Sequence, residues 1–348
     1  MRYRSNLNVP KPSSKLNQEQ VLPTLYLKPG TKIELAEESE YLYLLHPDHD
    51  YGQSIFPLNA TRAILAIEPL EIEPITLTAI LRARIPIIIF SQTGEFLGRI
   101  EPDYPARGDI LKAQAIMSEQ QATAIMQACC WGNLRRCRRY LLRSAREKNR
   151  EINSVGDALN ELINLVYRQE SVSSLQGLLG MGMKIYYEAF PICLNQDWQF
   201  TSRHDNSPIS RMLNFSYKLL EQSAKTAVYA VGLNPAIGFW HTTHHSQQGL
   251  VADIASEFKL YSEAVVVRVV NKGQVLPKDF ADCWREEKLP KIAVAAIAKS
   301  FEQKMNERFT YPHTNLKCSY QELLYLQAKQ IAWYLCNEVS EYYSPDLR

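Results

Sequence analysis

The segment Gly232-Leu-Asn-Pro-Ala-Ile-Gly-Phe-Trp-His241 sets Asn-Pro and Gly, both turn formers, directly before a histidine. That pattern presents His241 at a helix junction, where an imidazole can ligate a metal or move a proton. Two carboxylates follow, Asp253 and Glu257, four residues apart on a predicted helix and therefore neighbours on its surface. They read either as a displaced carboxylate pair or as a structural hydrogen bonder beside a solvated glutamate. His244 shares a face with His241, which would suit a softer cation such as zinc. Without a carboxylate partner, a surface histidine cluster is the better reading.

A second chemical feature is a run of arginines. Arg135, Arg136, Arg138, Arg139, Arg143, Arg146, Lys148 and Arg150 fall within sixteen residues, opposed only by Glu147. On a helix, positions 135, 139, 143, 146 and 150 share one side, and 136 and 138 widen the charged face. A solvated face normally mixes signs, whereas a nearly pure arginine face repels itself unless a polyanion relieves it. Arginine also suits bidentate contacts to phosphate. The expectation is nucleic-acid backbone binding, and no interleaved aromatics suggest base reading.

Other apparent motifs fail on spacing. Gly177-Leu-Leu-Gly-Met-Gly182-Met-Lys184 lacks the Gly-Lys-Ser/Thr ending of a phosphate loop, because Met183 intervenes and Ile185 follows. His46-Pro-Asp-His49-Asp50 reads as a polar turn. Seven cysteines without a Cys-x-x-Cys pair argue against a disulfide framework or zinc knuckle.

The elements that must position these residues fall into two halves. Short strands are predicted at Thr24–Leu27, Lys32–Leu35, Tyr41–Leu45, Ala63–Ile67, Ile85–Phe90 and Phe96–Ile100, with one helix-spaced stretch, Ile75–Arg84, embedded among them. Helices are predicted over Ile110–Arg146, Val155–Arg168, Ser174–Phe190, Ser207–Ala230, Gly249–Phe258, Lys291–Arg308 and Tyr320–Tyr342. The fold class is α+β. Residues 1–21 form a basic flexible tail, 22–100 a β-sandwich-like domain with one helix, 101–110 a linker, and 111–348 an all-α domain. The 348 residues suit two domains, and 39 Lys+Arg nearly balance 37 Asp+Glu. No apolar run reaches membrane-span length and no secretory signal precedes the first strand, so a soluble cytoplasmic protein is expected.

Taken with their neighbours, these residues resemble the core-adaptation integrases of CRISPR systems, the Cas-one family. Gly232–His241 is similar to that family's Gly-Leu-x-Pro-Ala-Ile-Gly-Phe-x-His stretch, whose histidine is a catalytic metal ligand. Residues 174–190 resemble its first catalytic helix, 249–259 its third motif, and 85–98 its strand-turn-strand. Members bind Mg²⁺ or Mn²⁺ through Glu, His and a second acid, and join prespacer DNA into the CRISPR array. Hard cations polarise the phosphate, and carboxylates hold such cations best.

Carried over residue by residue, the histidine is His241. The family's Gly-x-Glu-Gly pattern falls on Gly177-Leu-Leu-Gly180, with Tyr186-Tyr187 at the expected distance, so Leu179 stands at the glutamate position. The second acid belongs three residues past Asp253, where Ser256 stands, and Lys259 replaces the family's basic residue after the Phe. The resemblance with these departures implies a DNA-binding protein of spacer acquisition that has lost catalysis, with no metal cofactor. It also implies a homodimer formed through the β domain, and docking on the small ferredoxin-like Cas-two subunit or an active paralogue. The alternatives are a metal-dependent endonuclease or integrase using His241, Asp253 and Glu257 in shifted geometry, or a protein-interaction module without a DNA role. Binding to duplex or branched DNA separates the first two from the third.

Overall fold

The computed structural model describes residue 15 and residues 24–36, 40–46, 53–104, 107–241, 248–283, 288–311, 314 and 316–345. Apart from Lys15, the expected basic tail lies outside these residues, as do His49, Asp50 and His244.

Strands β1 (Thr24–Leu27), β5 (Ala63–Ile67), β7 (Ile87–Phe90) and β8 (Phe96–Ile100) form one sheet. The first three run parallel and β8 closes the edge antiparallel. A second sheet takes β4 (Gln53–Pro57), β3 (Tyr41–Leu45), β2 (Thr31–Leu35) and β6 (Leu70–Ile72) in that order. Strand alternation explains how the two are joined. Ile64, Ala66 and Ile87 of the first sheet share one apolar cluster with Ile33, Leu42 and Leu44 of the second. Ile80 of helix α1 (Pro74–Arg82) completes that cluster. Ala63, Leu65, Ile67, Ile88 and Phe90 point the other way, into the large core of the helical half. The first sheet is therefore buried on both faces, as its nearly continuous apolar strands require.

The helical half comprises α2 (Gly108–Ala115), α3 (Glu119–Glu147), α4 (Asn153–Leu165), α5 (Val172–Ala189), α6 (Pro208–Val231), α7 (Gly249–Asn271), α8 (Lys291–Asn306) and α9 (Tyr320–Leu335). The stretch expected as one helix from Ile110 to Arg146 is two. Ser118 breaks it by capping α3, accepting from Gln121 N while the Gln121 side chain accepts from Ser118 N. The α7 helix runs thirteen residues past Phe258 to Asn271. A small hairpin, β9 (Arg308–Thr310) with β10 (Lys317–Ser319), interrupts the helical half.

Central α6 and α7 come close because Ser216 and Ser262, both fully buried, meet at 2.6 Å through their hydroxyls. The α5 helix, which carries Leu179, crosses α3 at Gly182. A Cβ there would lie 2.2 Å from Leu134 Cδ2, and Leu134 is itself fully buried.

Two glycines of α5 therefore predict opposite effects. Gly182→Ala overpacks the α3–α5 crossing and should lower stability by about 1–3 kcal/mol. Gly180→Ala faces open space and should raise stability by about 0.5–1 kcal/mol through helix propensity. Urea unfolding midpoints of the two variants check both signs.

Candidate functional site

The segment ending in His241 is a loop wound around one carboxylate. It starts where Gly232 ends α6 in the left-handed region, at φ 87°. Gln114 of α2 pins its first turn, donating from Nε2 to Asn234 O (2.9 Å) and Ile237 O (2.6 Å) and accepting from Asn234 N (2.8 Å). Asp253, on α7 and fully buried, holds the last turn. Its Oδ2 accepts from Phe239 N (2.7 Å) and Trp240 N (3.0 Å), and its Oδ1 from His241 N (2.9 Å). Oδ1 also takes the His241 ring, with Nδ1 at 2.6 Å. An ionised carboxylate only accepts, so Nδ1 is the donor of this pair. Gly238 is required by this winding, since a Cβ would lie 2.5 Å from Asp253 Oδ2. Gln176 of α5 ties the loop to a further helix through Trp240 O (3.0 Å).

The other positions singled out in the sequence lie around this loop. Leu179 of α5 is buried and Ser256 of α7 nearly so, and both line one cleft of about 260 Å³ with Trp240. The Ser256 hydroxyl is turned back, donating to Asp253 O at 2.6 Å. Asp253 and Glu257 do not form a carboxylate pair. Glu257 is buried and accepts from Tyr342 Oη (2.8 Å) and Gln327 Nε2 (3.3 Å). The two acids are one helical turn apart, but each is engaged by its own set of donors, Asp253 by the loop and Glu257 by Tyr342 and Gln327.

The same cleft contains groups without a local sequence signal. Glu263, seven residues past Ser256 and so two turns along α7, accepts from Tyr186 (2.7 Å), Tyr187 (2.7 Å) and Tyr217 (2.5 Å). Burial, followed by the Glu263 charge, pushes all three phenols well above the ordinary tyrosine range. They remain donors at neutral pH. Burial also pulls the Lys259 ammonium below its usual value. Arg203 and His204 enter from the loop before α6, which Asp205 organises by accepting from Thr201, Ser202, Ser207 and Ser210.

The family described as CRISPR associated protein Cas1 matches residues 28–303. A CRISPR-associated endonuclease Cas1 from Leptospira interrogans is 31% identical over 259 residues, covering 68% of this chain and 98% of that protein. The chain belongs to the Cas1 family. Among solved structures, a casposase bound to integration product superposes with a TM-score of 0.74 at 17% identity, covering 94% of this chain and 95% of that one. A partial Cas6-RT-Cas1–Cas2 complex gives 0.67 at 20% identity, covering 94% and 100%. These likenesses establish the shared α+β Cas1 fold.

The donor set does not fit the Mg²⁺ or Mn²⁺ that the Cas1 resemblance implies. Leu179 offers methyl groups, Ser256 a neutral hydroxyl already bonded to backbone, and His241 one nitrogen. Among the described residues, no three His, Cys, Asp or Glu side chains gather as a metal-binding group. Hard cations need several oxygen ligands, and one imidazole does not supply them.

The arginine run of α3 divides between interior and surface. Arg136 faces inward, contrary to its expected place on the charged face. It is buried and donates to Asn133 Oδ1 (2.9 Å), Glu257 O (3.0 Å), Ser344 Oγ (3.3 Å) and Pro345 O (2.6 Å). Arg135 lies over the Trp131 ring at 4.4 Å and is half-buried. Arg138 donates from Nε to Gly156 O at 2.7 Å. With Arg139, Arg143 and Arg146, Arg138 lines a groove of about 540 Å³. Lys304, Tyr261 and Tyr320 from other helices join it, the buried Arg136 borders it, and among the described residues no acidic side chain lines it. Arg143 and Arg146 are exposed, and Arg143 pairs with Glu147 at 2.8 Å. Among the described residues, no helix is long and apolar enough to cross a membrane.

The Asp253 clamp makes a stability prediction. Asp253→Asn replaces one acceptor with a donor facing N–H groups and should cost about 3 kcal/mol or more. His241→Ala removes a single charge-assisted bond and should cost about 1.5–3 kcal/mol. Denaturant titration of the two variants checks that order.

Proposed function

We propose that this Cas1 protein is a DNA-binding subunit of CRISPR adaptation that holds DNA without catalysing strand transfer. One observation carries the reading. An acid-free arginine groove opens beside a Cas1 site in which Leu179 and Ser256 stand where carboxylates are needed. Arg138, Arg139, Arg143 and Arg146 contact the phosphate backbone of duplex or branched DNA, and Arg135 adds to the field without direct contact. Binding is retained because it needs only guanidinium groups. Chemistry is lost because polarising a phosphodiester needs a cation that this site does not hold.

The β domain, residues 22–100, pairs two copies. Its outer sheet turns Tyr41 and Ile55 to solvent, 38% and 57% exposed, while Leu42 and Leu44 between them point inward. Exposed aromatic and aliphatic side chains on a sheet face suit an interface with an identical copy. The structures matched include a Cas1–Cas2 assembly and a casposase on integrated DNA. They support docking on a small Cas2 subunit, and an active Cas1 paralogue would supply the missing carboxylates. Cytoplasmic location follows from that role.

The test combines DNA binding in EDTA with strand transfer and nicking on a branched substrate in Mn²⁺. The expected result is steeply salt-dependent binding with no metal-dependent product. Arg143→Ala and Arg146→Ala should each weaken binding to every sequence and reduce the salt slope by about 1. Product that disappears in His241→Ala would establish a rebuilt active site instead. Absence of salt-dependent DNA binding would point to an acidic protein partner for the groove. Leu179→Glu with Ser256→Asp should restore Mn²⁺ affinity measurable by calorimetry.

A further inference from the structure

The cleft that contains the substituted ligand positions is more than a vacated metal site. Leu260 lines both this cleft and the arginine groove, so the two adjoin. A strand bound in the groove has the cleft as a neighbour for its end. Leu179 makes an apolar wall, Trp240 offers a half-buried indole, and Arg203, His204 and Lys259 bring nitrogen groups. Arg203 lies over the Tyr217 ring at 4.6 Å and Lys259 over the same ring at 5.7 Å. Among the described residues neither cation forms an ion pair with a carboxylate. The acid in the cleft wall, Glu263, has its oxygens turned to three tyrosine hydroxyls.

The geometry points to a metal-independent pocket for the terminal phosphomonoester of a DNA strand, held between Arg203 and Lys259 with the end base against Trp240. This inference rests on the DNA-binding reading of the groove. The ligand class follows from charge and shape. A phosphodiester carries one negative charge and continues in both directions, whereas a terminal phosphomonoester approaches two charges at neutral pH and stops. Two cations beside a small cleft match the second. A guanidinium supplies a bidentate fork for the phosphate oxygens, and an indole face accepts any base by stacking. The Leu179 side chain favours this ligand too, since a carboxylate at that position would repel a phosphate that no metal neutralises.

The test is fluorescence anisotropy in EDTA with one overhanging duplex carrying a 3′-phosphate, a 5′-phosphate or hydroxyl ends only. One phosphorylated end should bind about tenfold tighter than the hydroxyl form, as expected for a charge-assisted contact. The preferred end identifies which terminus the cleft takes. Lys259→Ala and Arg203→Gln should each abolish the preference while keeping the hydroxyl-end affinity. Arg143→Ala should weaken all three substrates equally and keep the preference. Equal affinity for all ends in the wild-type protein overturns the pocket, as does a preference that survives both cleft substitutions. Calorimetry with a deoxynucleoside monophosphate reads the pocket apart from the groove. Binding heat that Lys259→Ala removes upholds the pocket even if long DNA does not bind, and no heat with no end preference overturns it.

Discussion

The structure around the site depends on the Asp253 carboxylate. A fully buried charge is tolerated only when it is thoroughly hydrogen-bonded, and Asp253 receives three backbone N–H groups and one imidazole N–H. That set of donors defines the loop. It fixes Gly238 by close approach and the ring of His241 by its Nδ1 contact, and through the loop it ties α2, α5, α6 and α7 together. The clamp works identically whether or not a metal binds. This explains how the Gly232–His241 signature coexists with Leu179 and Ser256: most of its residues answer to the fold rather than to the chemistry.

The arginine run shows the same division between structural and surface work. Arg136 stands one helical step from Arg135 and reaches the opposite side of α3, where four acceptors surround its terminal nitrogens. One of these is the carbonyl of Pro345, so the long α3 helix also anchors residues 344–345 against the core. Gly132 makes room for this contact, since a Cβ there would meet Ser344 Oγ at 2.3 Å. Arg143 and Arg146, which also line the groove, are exposed instead. A basic helix thus contributes to interior order with one arginine and to the surface field with the others.

Much of the fold was legible because its strands alternate and its turns carry Gly and Pro. The missed strands are informative. Gln53–Pro57 exposes Ile55 and ends in proline at a sheet edge, and Leu70–Ile72 is only three residues long, so neither has a period to detect. The end of α7 was misplaced because Val265, Val266, Val267, Val269 and Val270 favour strands, and burial against α6 and α8 overrides that preference. At the site, the turn that presents His241 was legible in its Asn-Pro and Gly residues, whereas Leu179 stood out only through the family resemblance. The inward turn of Arg136 was not, because a charge run conceals which member meets buried acceptors. Arg203, Lys304 and the tyrosines converge only through tertiary packing, which no local pattern records.

The side chains at 179 and 256 bear on the electrostatics of the cleft in one consistent direction. Carboxylates at both 179 and 256 would sit beside Asp253 and Glu263, and without a divalent cation their mutual repulsion would oppose folding. Leucine removes that charge and adds apolar packing, and serine turns its hydroxyl onto the helix backbone. Lys259 and Arg203 line the same cleft, and Leu260 lines both it and the arginine groove. With leucine and serine rather than carboxylates at 179 and 256, the cleft offers few oxygen ligands to a divalent cation and little negative charge to repel a phosphate, and both properties follow from the same two side chains.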